Sequence, residues 1–257
     1  MNILVAGDIV GSPGRTVFAR TATRMKASGE VDFVIANAEN AAGGRGITSP
    51  LAEELFAGGG DILTLGDHTW DQKELIPYFS TENRLLRPAN FAPGCPGNGW
   101  YTLHTEWSPV TVINLVGRVF LSPAECPFRT ADRILASLPH PPGIIIVDMH
   151  AEATSEKIAM GRYLDGRVTA VVGTHTHIPT ADERLLPKGT AYITDLGMTG
   201  PRDSVLGREV DAVLQKFVTG MPTRFKIASE DVALEGVLLQ INDQTGRALS
   251  IQRVRIK

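Results

Sequence analysis

Short, uninterrupted apolar runs alternate along this chain with stretches whose apolar residues recur at helical spacing. The first run covers residues 3–7 (ILVAG). In residues 15–29, Val17, Phe18, Ala22 and Met25 then fall on one helical face, and Gly29 can end the helix. Further runs follow at 32–38 (DFVIANA) and 61–66 (DILTLG). Between them Ser49 reads as an N-cap, with Pro50 at the first helical position, opening a helix through Phe56. Asp71 and Glu74 have capping-box spacing, which predicts another helix there with Asp71 as its cap. Residues 87–101 are rich in Pro and Gly, and 110–116 (VTVINLV) read as a strand. A helix from about Thr130 leads to a strand at 143–149, and a helix over 154–164 leads to a strand at 168–173. A strand at 190–195, a glycine-rich loop at 197–207, a helix at 208–219 and a hairpin across 243–246 complete the pattern. Buried apolar strands alternating with helices predict an α/β fold with a largely parallel sheet, mixed at its later strands. No shift in composition marks a boundary, so residues 1–257 read as a single domain.

In open α/β sheets, ligands bind at the carboxyl ends of strands. Here each early strand ends in a side chain able to hold a metal. Residues 3–7 lead into Asp8, 32–38 into Glu39 and Asn40, and 61–66 into Asp67 and His68. Residues 143–149 lead into His150, and 168–173 into His175 and His177 of GTHTH. Taken singly, each piece has an ordinary explanation: a turn at Gly-Asp, a solvated loop at Glu-Asn, a structural role for His150. GTHTH is more pointed, because residues two apart on extended backbone face the same side, and neutral imidazole is a common metal ligand for one ion or two neighbouring ones.

The set as a whole narrows the chemistry. Adjacent strand ends lie ~5 Å apart, so three carboxylates and several imidazoles would crowd one crevice. Unaided, the carboxylates would repel one another and their pKa values would rise. Two divalent ions would offset that charge, and a mixed His and carboxylate set suits Mn, Fe or Zn better than Ca or Mg. Two ions ~3.5–4 Å apart favour hydrolysis of phosphate esters by a metal-activated hydroxide. A nearby acid then protonates the departing alkoxide. His68 is the candidate, since Asp67 beside it is available as a ligand and places His68 at the rim. Arg45, flanked by Gly43, Gly44 and Gly46, is a candidate phosphate contact, although a flexible loop explains the same residues. Glu152, Thr154, Ser155, Glu156 and Lys157 are candidates to support His150 from behind, while a capped helix start accounts equally for Thr154 or Ser155.

Composition excludes several alternatives. Among 257 residues, 43% are hydrophobic and 21% charged, enough for a packed core and against global disorder. A net charge of −3 argues against an extended nucleic-acid surface but not against a small nucleotide. Cys95 and Cys126 each precede Pro outside any CxxC pattern and read as reduced thiols. No apolar run approaches the ~20 residues of a membrane span. The chain opens directly as a strand without a basic leader or cleavage site, which predicts a cytoplasmic protein. A Rossmann-type GxGxxG is missing after the first strand, and so is a GxSxG elbow. A homo-oligomer is compatible with all of this.

The order Asp8, Glu39-Asn40, GDH (66–68), His150 and GTHTH (173–177) resembles the calcineurin-like metallophosphoesterase superfamily. It is most similar to the YmdB-like branch of bacterial phosphodiesterases, through GDIVGSPGR (7–15), NAENAAGGRGIT (37–48), RPANF (87–91), GRVF (117–120), HAEATSEK (150–157) and TDLGMTGP (194–201). The resemblance implies a four-layer α/β/β/α sandwich with mixed sheets. It implies a centre of two metal ions, divalent or of mixed valence, iron first and manganese or zinc as alternatives. Asp8, Glu39, Asn40 and His177 would hold one ion. Glu39 would bridge to the second, held also by Asp67, His150 and His175, with His68 as proton donor. The implied substrates are 2′,3′-cyclic nucleotides. A phosphomonoesterase or nuclease on the same centre, or a metal-bound regulatory module with little turnover, are the alternatives. Val10 stands where the wider superfamily has a histidine, a gap the YmdB-like branch shares. Asp67 stands where that branch usually has Asn. Asn brings an NH₂ donor, whereas ionised Asp brings charge and only accepts. Asp67 is therefore expected to tighten metal binding and weaken attraction for an anionic phosphate.

Overall fold

Alternation of side chains along the strands builds the layers. The computed structural model describes residues 1–140 and 143–257. In β1 (Asn2–Ala6), Ile3 and Val5 enter a core between two sheets. Leu4 and Ala6 enter a second core, with Val17 and Phe18 of α1 (Gly11–Ala27) and Ala52 and Leu55 of α2 (Ser49–Ala57). On the other side, Val110 and Val112 of β7 (Pro109–Val116) and Ile144 and Ile146 of β8 (Ile144–His150) join the inter-sheet core. Their alternates, Ile113, Leu115, Ile145 and Val147, pack with α3 (Pro127–Ser137) and α4 (Thr154–Leu164) through Ala131, Ile134, Met160 and Leu164. Each sheet therefore buries both faces, and the layers run α/β/β/α, as the resemblance implies.

In the first sheet, β1 lies parallel to β3 (Phe33–Asn37), which is followed by β4 (Ile62–Thr64) and β5 (Leu85–Leu86). β1 also pairs antiparallel with β13 (Val232–Asn242), which pairs with β14 (Arg247–Ile256) and β12 (Met198–Pro201). β12 in turn lies parallel to β2 (Asp8–Ile9). In the second sheet, β7, β8, β9 (Ala170–Thr174) and β11 (Ala191–Ile193) are parallel. β6 (Trp100–His104) and β10 (Arg184–Leu185) close its edges antiparallel. Among the described residues, no helix is long and apolar enough to cross a membrane.

Local departures from the sequence reading have physical causes. α2 starts at Ser49 itself, with Thr48 as N-cap, a shift of one residue. No α-helix follows the capping-box pair. Lys73–Ser80 form a 3₁₀ helix with Gln72 as N-cap and Pro77 inside, where the missing N–H and the ring exclude a regular α ladder. The glycine-rich segment after residue 197 contains β12, and the sequence around Trp100 contains β6. β12 takes its pairing from distant partners, whereas β6 pairs antiparallel with the next strand, β7, across the short turn at 105–108.

Candidate metal centre

The strand ends do meet. Asp8 opens β2, Glu39 and Asn40 follow β3, Asp67 and His68 follow β4, His150 closes β8, and His175 to His177 follow β9. Glu39, Asp67, His150 and His175 each offer one donor atom within 4.8 Å of the others. His150 Nε2 lies 3.0 Å from Glu39 Oε1, 3.0 Å from Asp67 Oδ1 and 3.0 Å from His175 Nδ1. Gly66 makes this approach feasible: a Cβ there would fall inside contact distance of both His150 Nε2 and Glu39 Oε2. Asn40, His177 and Asp8 form an adjoining group. Asn40 Nδ2 is 3.4 Å from Glu39 Oε1 and 3.3 Å from His177 Nε2, which is 3.9 Å from Asp8 Oδ1. Glu39 thus touches both groups.

The electrostatics are those of a site that wants positive charge. Burial pushes the Asp8 carboxyl up to about 7, against the field of His150, and the neighbouring charges of Asp195 and Glu39 add to the rise. Asp8 Oδ2 accepts from the His175 N–H, but Oδ1 is buried and has no partner. Burial opposes charge on His150 too, yet Glu39 and Asp67 outweigh it and hold its pKa well above the ordinary value. Burial likewise works against ionised Asp67, but hydrogen bonds from His150 and His175 hold its carboxyl far below the usual range. Burial also pushes His177 down to about 4, which leaves a neutral imidazole at neutral pH. An orphaned carboxylate oxygen, a neutral histidine and a proton trapped between carboxylates all suit a cation. Mixed nitrogen and oxygen donors fit a first-row transition metal.

Supporting contacts fix the ring orientations. The Thr174 hydroxyl donates to Asp148 Oδ1 at 2.7 Å and lies 2.9 Å from His150 Nδ1. It can therefore accept the Nδ1 proton, so that Nε2, which here donates toward Glu39 and Asp67, is the nitrogen that would turn its lone pair to a cation once that proton is displaced. His175 Nε2 faces Glu152 Oε2 at 3.1 Å, which frees Nδ1 for the cluster. Glu152 thus supports His175 and not His150.

The family model of YmdB-like proteins matches residues 4–254. The chain belongs to the YmdB-like family. It is 47% identical, over 100% of its length and 97% of that protein, to the 2′,3′-cyclic-nucleotide 2′-phosphodiesterase of Bacillus subtilis (strain 168). Among solved structures it is similar to a hypothetical protein from Thermus thermophilus (TM-score 0.93, 39% identity, 99% of this chain and 98% of that one). It is also similar to a phosphatase from Mycoplasma pneumoniae (TM-score 0.92, 33% identity, 100% and 93%).

The YmdB-like histidine segment is strained. His175 has φ of 98° and His177 of 65°, unusual for residues with a Cβ. The two rings consequently separate, His175 to the Glu39–Asp67–His150 group and His177 to the Asp8–Asn40 group, where an extended backbone would have aimed them alike. Asp195 holds the segment: its Oδ2 accepts from the Thr176 N–H at 3.2 Å and the Thr176 hydroxyl at 2.7 Å. The same oxygen lies 2.6 Å from Nζ of the fully buried Lys157. Asp195 ends the apolar run 190–195 just as Asp8 ends the first, so a strand-end signal for it exists in the sequence.

At the rim, Asp71 is not a helix cap. Its Oδ2 lies 2.9 Å from His68 Nδ1 and also accepts from Arg45 Nε. The His68 N–H donates to Glu39 Oε2 at 3.2 Å. A cavity of about 440 Å³ opens over Glu39, Asn40, His68, His175 and His177. Arg45 is two-thirds exposed and lies outside its lining. Arg208 lines it instead, its Nη1 and Nη2 held by the Gly43 and Gly44 carbonyls at 2.9 and 2.8 Å. Nothing local in the sequence marks Arg208, because its partners stand more than 160 residues away.

Proposed function

We propose that this chain is a cytoplasmic, single-domain phosphodiesterase over residues 1–257 that uses two metal ions to hydrolyse small cyclic nucleotides, the 2′,3′-cyclic forms foremost. The observation that carries this reading is Glu39, one carboxylate in contact with two adjoining groups of nitrogen and oxygen donors. Asp8, Asn40 and His177 are assigned to one ion and Asp67, His150 and His175 to the other, with Glu39 shared. Iron is the first choice for this donor set, with manganese or zinc next. When bound, the ions supply Lewis acidity toward the phosphoryl oxygens and an activated nucleophile at neutral pH. The name of the Bacillus relative supports the substrate class.

The chain's own residues supply the remaining steps. Asp71 accepts from His68 Nδ1 and orients the ring so that a proton on Nε2 can pass to the departing alkoxide. The neutral ring that remains keeps its Nδ1–H on Asp71. Arg45 acts through Asp71, fixing that carboxylate from the solvent side. Arg208 and Lys216 line the cavity and offset the negative charge of the phosphate. The test is a panel of 2′,3′- and 3′,5′-cyclic nucleotides, phosphomonoesters and RNA, run with metal-loaded protein. The highest kcat/KM should fall on a 2′,3′-cyclic nucleotide and vanish with chelator. A monoester or RNA preferred over it would refute the substrate assignment, and a metal-loaded protein inert on every ester would refute the enzyme.

A further inference from the structure

The cavity over the candidate metal centre has a second wall with a different chemistry. Besides the carboxylates and imidazoles it is lined by Leu206, Val213, Phe217 and Phe225, with Lys216 between them in sequence. Val213, Lys216 and Phe217 lie on α5 (Val210–Thr219). Phe217 is 76% exposed, although it borders a strongly polar site. Lys216 Nζ sits 5.1 Å from the centroid of the Phe225 ring, so a cation rests on one aromatic face of this wall. The volume of about 440 Å³ lies within the ~300–1,000 Å³ of small-molecule sites.

From this geometry we infer that the α5 wall is the base-binding side of the substrate cavity, where Phe217 and Phe225 stack on the face of a nucleobase while its phosphate lies over the metal-binding residues. The inference rests on the phosphodiesterase reading and adds the part of the substrate that the metal residues cannot recognise. Four of the five side chains named on this wall carry no hydrogen-bonding atom, and the fifth, Lys216, only donates. Such a wall grips the π-face that every base has and does not read the base edge, so purine and pyrimidine nucleotides bind alike. Lys216 and Arg208, both cationic, line the same cavity and can meet the sugar-phosphate.

The experiment compares wild type, Phe217→Ala, Phe225→Ala and Phe217→Trp. The substrates are 2′,3′-cyclic AMP and 1-O-methylribose 2′,3′-cyclic phosphate, the same ester without a base. Each alanine variant should raise KM for the nucleotide about tenfold more than for the baseless ester, in keeping with the loss of one stacking partner. The change should fall on KM rather than kcat, and Phe217→Trp should restore it. Phe217 is exposed, so its replacement leaves the fold intact. Equal effects on the two esters would overturn the inference. So would a preference beyond about 100-fold for one base among the four 2′,3′-cyclic nucleotides. Calorimetric binding of adenosine, which carries a base and no phosphate, reads the wall without catalysis. It should bind the wild type and bind Phe217→Ala about tenfold more weakly. If no ester is turned over while adenosine binding still depends on Phe217, the phosphodiesterase reading has failed and the wall stands. Adenosine binding indifferent to Phe217 overturns the wall alone.

Discussion

Replacing Lys157 by Met tests how the strained histidine segment is held in place. Lys157 Nζ lies 2.6 Å from Asp195 Oδ2, and the two side chains are 0% and 1% exposed. At that separation two unit charges attract by roughly 332/(20 × 2.6), or about 6 kcal/mol at an effective dielectric constant near 20. Desolvation cancels much of this in the intact pair. Removing one partner is different, because the other charge stays buried. In Lys157→Met, Asp195 keeps only the Thr176 donors and the Gly197 N–H. The expected cost is about 3–5 kcal/mol in urea unfolding of chelated protein. Asp195→Asn should cost a similar amount by stranding Lys157. The double variant should cost clearly less than the sum of the two, since the pair leaves together. Because Asp195 pins Thr176 between two residues of positive φ, each single variant should also retain less metal after reloading and desalting. A loss below about 1 kcal/mol with normal metal content, or strict additivity in the double variant, would refute this role for the pair.

Other perturbations separate ligand, support and acid. Gly66→Ala adds a methyl group against His150 and Glu39, so metal content should collapse while far-UV circular dichroism stays native; full metal occupancy would show that the approach at Gly66 is not needed. Asp67→Asn should lose metal more readily on dialysis and bind the anionic ester with lower KM; no change in either removes the charge argument. His68→Ala should lower kcat on a cyclic nucleotide about 100-fold or more, but far less on bis-p-nitrophenyl phosphate, whose nitrophenolate leaves without a proton. Equal losses on both would deny His68 the acid role. Asp8→Asn should stabilise chelated protein at pH 8 and not at pH 4. The folded pKa of Asp8, about 7, lies above its ordinary 3.8, so the metal-free fold loses stability as pH rises through that window. The shift corresponds to a gain on the order of 4 kcal/mol, and urea midpoints at the two pH values measure it. Equal midpoint shifts at pH 4 and pH 8 would rule out a buried Asp8 charge as the cause.

Much of the site is legible in the sequence because parallel strands buried on both faces leave uninterrupted apolar runs, and the residue after each run is delivered to one crevice. Asp8, Glu39, Asp67, His150 and His175 all follow that rule. What is not legible depends on distant partners. β12 and β2 are two to four residues long and exist through their pairing with each other and, for β12, with β13. The spacing of Asp71 and Glu74 is a local helix signal, but His68 and Arg45 compete for the Asp71 carboxylate and take it. The positive φ values at His175 and His177 separate two side chains that an extended strand would align. Arg208 and Phe217 reach the cavity only through tertiary placement. Periodicity showed α5 as a helix without showing what its exposed face borders.

The most direct measurement is the number of metal ions per chain, by elemental analysis of protein purified without chelator and again after anaerobic titration of the chelated form with iron(II) or manganese(II). Two ions should bind per wild-type chain, and Glu39→Gln should weaken both, because this one carboxylate contacts both groups of donors. A wild-type chain that saturates with one ion, or a Glu39→Gln variant that still holds two as tightly, would contradict a shared centre.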